Sequence, residues 1–565
     1  MVKLTEKPFN LDKDQIEWVK STLAGMSKED KIGQLFCLTA YQGSEDEIAR
    51  IYKVMKPGGL MYRPMKTEEA IHLTEAIDRY AGIPLLIAAN LEKGGNGIVE
   101  EGTLLNAPLG IAATDDAGMA EKLGTICGRE GAAVGANWAF APIIDIDYNF
   151  RNPITNTRTF GSDPERVKTM GTAYVKAVQS LGLAASIKHF PGDGMDERDQ
   201  HLVSSVNSLS CEEWMDTYGA IYRACIDAGA LTCMIGHILQ PAWSKRLYPA
   251  LADADILPAS LSPELKQDLL RGELGFNGMI VTDATTMAGF TIPMPREKAV
   301  PYSIASGADM FLFTKNLEED YGFMEAGVKN GTITEERLNE AVTRILAVKA
   351  ALGLHQKKGS LSIEDAKKVI GCAEHLQWSE ACADKAVTLV KEEKGVLPLS
   401  AAKYKRVLYY PIESEQGVAY SVKAGVCDHF RALLEQEGFE VETFKPAANG
   451  FEGMLQPVSE FLGKYDLIVY LANMSTKSNQ TTVRIEWAQP MGANVPAYMQ
   501  QIPTIFISVE NPYHLLDVPR VKTFINAYNS CDANLYAIIN KLMGRSEFKG
   551  INPVDPFCGK WDTRL

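Results

Sequence analysis

The chain has no run of eighteen apolar residues, so no segment has the length and apolarity of a membrane-spanning helix. Its first ten residues, Met-Val-Lys-Leu-Thr-Glu-Lys-Pro-Phe-Asn, lack the apolar core of a secretion signal. Positive charge is short: 57 Lys and Arg against 71 Asp and Glu leave a net charge of −14, and no basic stripe interrupts the deficit. Nucleic acid and anionic membranes are therefore poor partners. The ten cysteines are scattered with no Cys-x-x-Cys spacing, which reads as reduced thiols in a core. There is no Gly-x-Gly-x-x-Gly and no Gly-x-x-x-x-Gly-Lys-Ser/Thr, so no nucleotide cradle is indicated. Nor is there an internal repeat or a low-complexity tract. A cytoplasmic globular protein, monomer or homodimer, with a small-molecule partner is the expectation.

What the chain does have is alternation. Its 565 residues, 46% hydrophobic and 23% charged, are enough for one large and one smaller domain. Apolar runs that read as buried strands occur at 31–39, 58–63, 84–90, 138–145, 184–190, 231–237, 278–283 and 308–314. Helical patterns separate them, among them 68–80, 117–133, 164–181, 212–228 and 263–274. Continuous apolar strands alternating with helices argue for a parallel sheet, and eight such units argue for its closure into a (β/α)8 barrel. A second alternation, with strands at 406–411, 439–444, 466–472 and 504–510, suggests a smaller α/β/α sandwich. The expected organisation is a catalytic barrel over 1–352, a helical linker over 353–400 and the sandwich over 401–565.

Several barrel strands end in polar or chargeable residues: Arg63, Asn90, Asp145, Lys188 with His189, His237 and Asp283. In a parallel barrel these ends gather on the face that hosts chemistry. The stretch from Lys188 to His201 is the richest. It leaves a strand through Pro191, Gly192 and Gly194, and it carries an Asp-x-His pair, Asp199 and His201. Its Pro-Gly-x-Gly corner offers hinges on which a proton donor could swing in with substrate. The second feature is Val281-Thr-Asp283, a carboxylate at the end of an apolar strand. Alone, Asp283 reads equally as a turn cap or as a reactive carboxylate. Beside an Asp–His pair it reads as the nucleophile of a retaining glycoside cleavage, with the imidazole giving and retaking the proton. Histidines 72, 355, 375, 429 and 514 belong to no constellation and read as surface or structural groups. His237 reads equally as packing or as a site residue, and Asp145 and Asp147 read as strand-end salt bridges before ligand contacts.

Lys188-His-Phe-Pro-Gly with Asp199-x-His201, followed by Val281-Thr-Asp283 and Met287, resembles the β-N-acetylhexosaminidase branch of family 3 of the glycoside hydrolases. Phe140-Ala-Pro-Ile-Ile-Asp-Ile-Asp147, Asn156-Thr-Arg158-Thr-Phe-Gly and Pro258-Ala-Ser-Leu-Ser262 support the likeness. The resemblance implies Asp283 as nucleophile, His201 as acid/base and Asp199 as its partner. It implies Lys188, His189, Arg158, Arg63, Asn90, Glu92 and Met287 as substrate contacts, with no metal and no cofactor. The implied activity is release of terminal β-linked N-acetylglucosamine from peptidoglycan or chitin fragments through a covalent glycosyl-aspartate. The alternatives are a β-N-acetylglucosaminide phosphorylase and a catalytically silent sugar-binding relative. The chain departs from the family pattern in three places. Asp193 stands where a second His is usual, Gln200 where Ser or Thr is usual, and Asn90-Leu-Glu92 where an aspartate usually holds sugar hydroxyls.

Overall fold

The computed structural model describes residues 2–41, 43–356, 359–413, 424–445, 455, 457–476, 478, 481–488 and 492–565. The chain divides into two compact units, one of residues 1–105, 117–155 and 163–376, the other of 106–116, 156–162 and 377–565.

The first unit is built on eight parallel strands: β1 (Phe36–Thr39), β2 (Gly59–Met61), β3 (Leu86–Ala89), β4 (Trp138–Ala139), β5 (Ala184–Phe190), β6 (Thr232–Ile235), β7 (Met279–Ala284) and β8 (Met310–Leu312). They close in the order β1-β8-β7-β6-β5-β4-β3-β2, each strand beside its neighbours in the chain. Their residues are buried throughout, as expected for strands with side chains on one face and helices on the other. Trp138 lies in the core edge-on to Phe140, with ring centroids 4.7 Å apart. Its Nε1 donates to Thr232 Oγ1 at 2.9 Å and ties β4 to β6. Helices complete the repeat. Pro164–Ser180 starts on Asp163 with proline in its first turn, and Glu335–Ala351 starts on Thr334, whose hydroxyl accepts from Arg337 N at 3.1 Å.

The observed strands are shorter than the apolar runs. Lys31–Gln34, expected as strand, belongs to a helix over Lys28–Gln34 that opens on Ser27, whose Oγ accepts from Asp30 N at 3.1 Å. A helix cap four residues upstream decided what the apolar pattern left ambiguous. The expected strand over 138–145 pairs only at its start, and Ile143 then makes a single bridge to Lys188.

At the amino-terminal end of the barrel, Asp309 is fully buried. It accepts from Arg271 Nη2 at 2.6 Å, Arg337 Nη2 at 2.5 Å, Arg344 Nη1 at 3.5 Å and Ile280 N at 2.9 Å. Burial pushes its pKa up, but the three guanidiniums outweigh that and hold it below the ordinary aspartate range. Asp309→Ala leaves three buried cations without their common partner and is expected to cost about 3–5 kcal/mol. Denaturant unfolding of the variant against the parent, with activity per folded molecule unchanged, checks this.

The second unit holds a six-stranded sheet: β9 (Thr388–Lys391), β10 (Arg406–Glu413), β11 (Glu440–Thr443), β12 (Leu467–Asn473), β13 (Thr504–Ser508) and β14 (Thr523–Asn526), in the order β9-β14-β13-β12-β10-β11. All pairs are parallel except β9 with β14. Helices Val426–Gln436 and Asp532–Leu542 supply Phe430, Leu433, Ile538 and Leu542 to one core. Phe461, Tyr470, Phe506 and Phe524 belong to another. The division differs from the expected 352 and 400 boundaries: residues through Leu376 group with the barrel, and β9 lies inside the expected linker. Two excursions from the barrel chain also join the second unit, bonded by Ile551 N to Ala113 O at 2.9 Å and Ser162 N to Pro553 O at 3.0 Å.

Candidate active site

Strand β7 delivers Asp283 at its carboxyl end, 6% exposed. Its Oδ1 accepts from Ala284 N at 2.7 Å, while Oδ2 has no hydrogen-bond partner among the described residues. His189 Nε2 stands 3.8 Å from that oxygen. Burial pushes the pKa of Asp283 up, but His189, His201, His237 and the Ala284 N–H together outweigh it and hold the group at about 2. The result is an ionised carboxylate with one oxygen uncommitted, the electronic state a nucleophile needs. Asp309, at the opposite barrel end, is by contrast a carboxylate filled by donors.

His189 is aimed by Asp145, which is wholly buried. Asp145 Oδ1 accepts from the His189 and Asp193 backbone N–H groups at 3.0 and 2.8 Å, and Oδ2 lies 2.7 Å from His189 Nδ1. With a carboxylate on Nδ1, that nitrogen carries the proton, and Nε2 is turned to Asp283. The neighbouring Lys188 Nζ donates to Glu92 Oε1 at 2.8 Å, bringing the end of β5 against the loop after β3.

The Asp199–His201 pair lies on the loop after β5, and both residues are buried. Asp199 Oδ1 receives the His201 ring Nδ1 at 2.5 Å and the His201 backbone N at 2.8 Å. A carboxylate so placed fixes the orientation of the ring. His201 O accepts from Ala288 N at 3.0 Å, which joins this loop to the segment after β7. The approach is close: a Cβ on Gly289 would stand 2.1 Å from Gln200 O. The glycines expected as hinges have the same character. Gly192 (φ +115°) and Gly194 (φ +108°) would place a Cβ 2.1 Å from Tyr218 Cδ1 and 1.8 Å from Ile146 O. They are glycine because the chain is packed there.

The remaining site candidates are less uniform. Arg63, exposed at the end of β2, lies over the Tyr41 ring with 5.3 Å to its centroid. Asn90 is exposed at the end of β3, and Met287 is half-buried just before the short helix Ala288–Thr291. Arg158, half-buried in the turn Asn156–Arg158, belongs to the second unit, not to the barrel that carries the others. His237 is fully buried; its Nε2 donates to Ala284 O at 3.2 Å and Nδ1 lies 3.0 Å from Ser260 Oγ. Burial holds its pKa down to about 4, so it is a neutral ring bracing the residue after Asp283. His375, read as surface or structural, is buried with Nδ1 2.6 Å from Glu130 Oε1. Sequence reasoning gave too little weight to Asp145 and none to the contact between Asp193 and Gln200. The signal for the first was its place after the apolar stretch 138–144. Among the described residues no group of three or more His, Cys, Asp or Glu is arranged to hold a metal ion. No described helix is long and apolar enough to cross a membrane.

Residues 27–348 match the model of the glycosyl hydrolase family 3 N-terminal domain. The chain belongs to glycosyl hydrolase family 3. Within the family, it is 50% identical over 566 residues, covering both chains completely, to a β-N-acetylglucosaminidase/β-glucosidase of Cellulomonas fimi. It is 29% identical over 357 residues, 59% of this chain and 58% of the other, to β-hexosaminidase A of Pseudoalteromonas piscicida. Among solved structures, a β-glucoside phosphorylase superposes with a TM-score of 0.93 at 46% identity, covering 99% of each chain. A family 3 β-N-acetylglucosaminidase from Paenibacillus shares the fold, with a TM-score of 0.78 at 24% identity over 95% of this chain and all of that one. This family 3 chain is a glycosidase whose barrel and separate sheet-containing unit follow the family architecture.

Proposed function

We propose that the protein cleaves terminal β-glycosides with retention, using Asp283 as nucleophile and His201, held by Asp199, as acid/base. The observation that carries this reading is the ionised, buried Asp283 with Oδ2 uncommitted, on a strand whose following segment is bonded to the loop bearing the Asp199–His201 pair. In the first step Asp283 Oδ2 forms a bond to the anomeric carbon as the glycosidic C–O bond breaks. The electron pair goes to the leaving oxygen, which takes the His201 proton. In the second step the neutral imidazole removes a proton from water as its oxygen displaces Asp283. Asp199 stabilises the imidazolium on each occasion.

Lys188, His189, Asn90, Glu92, Arg63 and Met287, all on the barrel unit, are the proposed sugar contacts. Terminal N-acetylglucosamine, from peptidoglycan or chitin fragments, is the preferred substrate, and β-glucosides are a second class, since the Cellulomonas fimi relative is named for both. The amide side chain of Asn90, in place of the family's aspartate, supports such a relaxed choice because it both donates and accepts. A second reading replaces water with inorganic phosphate. The 46% identical structure is of a β-glucoside phosphorylase, and an imidazole repels an incoming anion less than a carboxylate would.

Assay of aryl β-N-acetylglucosaminide and β-glucoside with and without inorganic phosphate tests these readings. Free β-configured sugar at a phosphate-independent rate supports hydrolysis; β-configured sugar 1-phosphate supports the second reading. Inertness toward every β-glycoside would remove both and favour a silent sugar-binding protein.

A further inference from the structure

We propose that Asp193 is a positioning residue whose ionised carboxylate locks the His201 loop to the rest of the site through Gln200. This rests on the acid/base role proposed for His201.

Asp193 and Gln200 are both buried, at 2% and 0% exposure. Asp193 Oδ2 accepts from Gln200 Nε2 at 3.0 Å, and Oδ1 accepts from Asn152 Nδ2 at 2.9 Å and Gly194 N at 2.7 Å. Neither amide is free to turn. Gln200 Oε1 accepts from His237 N at 2.9 Å, and Asn152 Oδ1 accepts from Ile154 N at 2.7 Å and Thr155 N at 2.9 Å. Each is thereby forced to present its NH2 to Asp193, so every side-chain contact made by Asp193 is with a donor. A carboxylate satisfies that arrangement; a carboxylic acid or a carboxamide places a donor against a donor. The Asp193 backbone N–H reaches Asp145 Oδ1, which also holds His189. A continuous chain of bonds thus runs from His189, which faces Asp283, to Gln200, the residue between Asp199 and His201.

The charged and titratable groups around Asp193 are Asp145, His189 through Asp145, His201, and Tyr218, whose hydroxyl donates to Asp193 O at 2.6 Å. Burial, then the Asp145 charge, push Asp193 up to about 7; Gly194 N–H, Asn152 and His201 pull the other way. As pH falls through that range Asp193 takes a proton, loses the Gln200 contact and releases the acid/base loop. Asp283, held at about 2, cannot give an acid limb there.

The test compares the full-length parent, Asp193→Asn, Gln200→Glu and the double variant. Each is assayed against pH on an alkyl β-glycoside, which needs a proton donor, and on a 2,4-dinitrophenyl β-glycoside, which does not. For Asp193→Asn the expected result is a loss of roughly 100-fold in kcat/KM on the alkyl glycoside and under tenfold on the dinitrophenyl one. The parent's acid limb near neutrality is expected to vanish in this variant. The double variant restores complementarity: the new amide at position 193 can donate to the new carboxylate at position 200, while its oxygen still accepts from Asn152 and Gly194. It is expected to recover at least tenfold. Equal losses on both substrates, or no recovery in a folded double variant, would overturn the inference. If Asp193→Asn does not fold, Gln200→Glu, which keeps an acceptor for His237 N and removes the donor to Asp193, must show the same leaving-group dependence. A parent inert on both glycosides would instead sink the underlying functional reading.

Discussion

Replacement of Asp283 by Asn is expected to lower kcat/KM by roughly 10⁴-fold or more on every β-glycoside, aryl or alkyl. The carboxamide keeps the size of the side chain and its contact with Ala284 N, but it cannot form the ester with the anomeric carbon. The size of the effect follows from the position of the group. Asp283 is the carboxylate at the end of β7 with one oxygen uncommitted, and His189 and His201, with the Ala284 N–H, keep it ionised. Its depressed pKa means that the charge is present at every pH above about 3, so activity lost at higher pH must come from another group. Circular dichroism and a melting curve on the same preparation separate a chemical loss from an unfolding one. A variant that retained a tenth of parental turnover would remove Asp283 from the mechanism.

His201→Ala is the second large effect, and its size depends on the leaving group. On an alkyl or saccharide leaving group, kcat/KM is expected to fall by about 10²–10⁴, the usual worth of a positioned proton donor. On 2,4-dinitrophenyl glycosides, whose leaving group departs as a stable anion, first-step rates are expected to stay within tenfold of the parent. The covalent intermediate then accumulates, seen as a burst, because nothing draws the proton from the incoming nucleophile. Asp199→Asn keeps the contact with the ring but lets the amide oppose the wrong tautomer, and is expected to show a weaker version of the same pattern. A uniform loss across leaving groups would mean that His201 holds the sugar instead of moving a proton.

The barrel was legible because each strand is a short apolar run bounded by polar residues, and a parallel barrel needs both strand faces apolar. It was misread where the same composition serves a helix, as at Lys28–Gln34, or where pairing stops early, as after Ala139. In the second unit, β9 and β14 escaped notice. β9 is largely half-exposed and so breaks the apolar pattern that marks the other strands; β14 is wholly buried and was missed without such a reason. The candidate site was legible where its residues sit on strand ends or close together in the chain: Asp283, Lys188 with His189, and Asp199 with His201. It was not legible where a role is set by contacts distant in the chain. Asp145 reaches His189 and Asp193 across more than forty residues, and Gln200 acquires its orientation from the backbone of His237. Arg158 shows the reverse: a residue assigned with the barrel on sequence groups with the second unit through the backbone bonds of its own segment.

The central claim is that the anomeric carbon becomes bonded to Asp283. Incubation with a 2,4-dinitrophenyl 2-deoxy-2-fluoro-β-glycoside, followed by proteolysis and mass mapping, tests it directly. The account predicts time-dependent inactivation with one fluorosugar per chain, carried on Asp283. A label on any other side chain, or inactivation of Asp283→Asn at the parental rate, would contradict it.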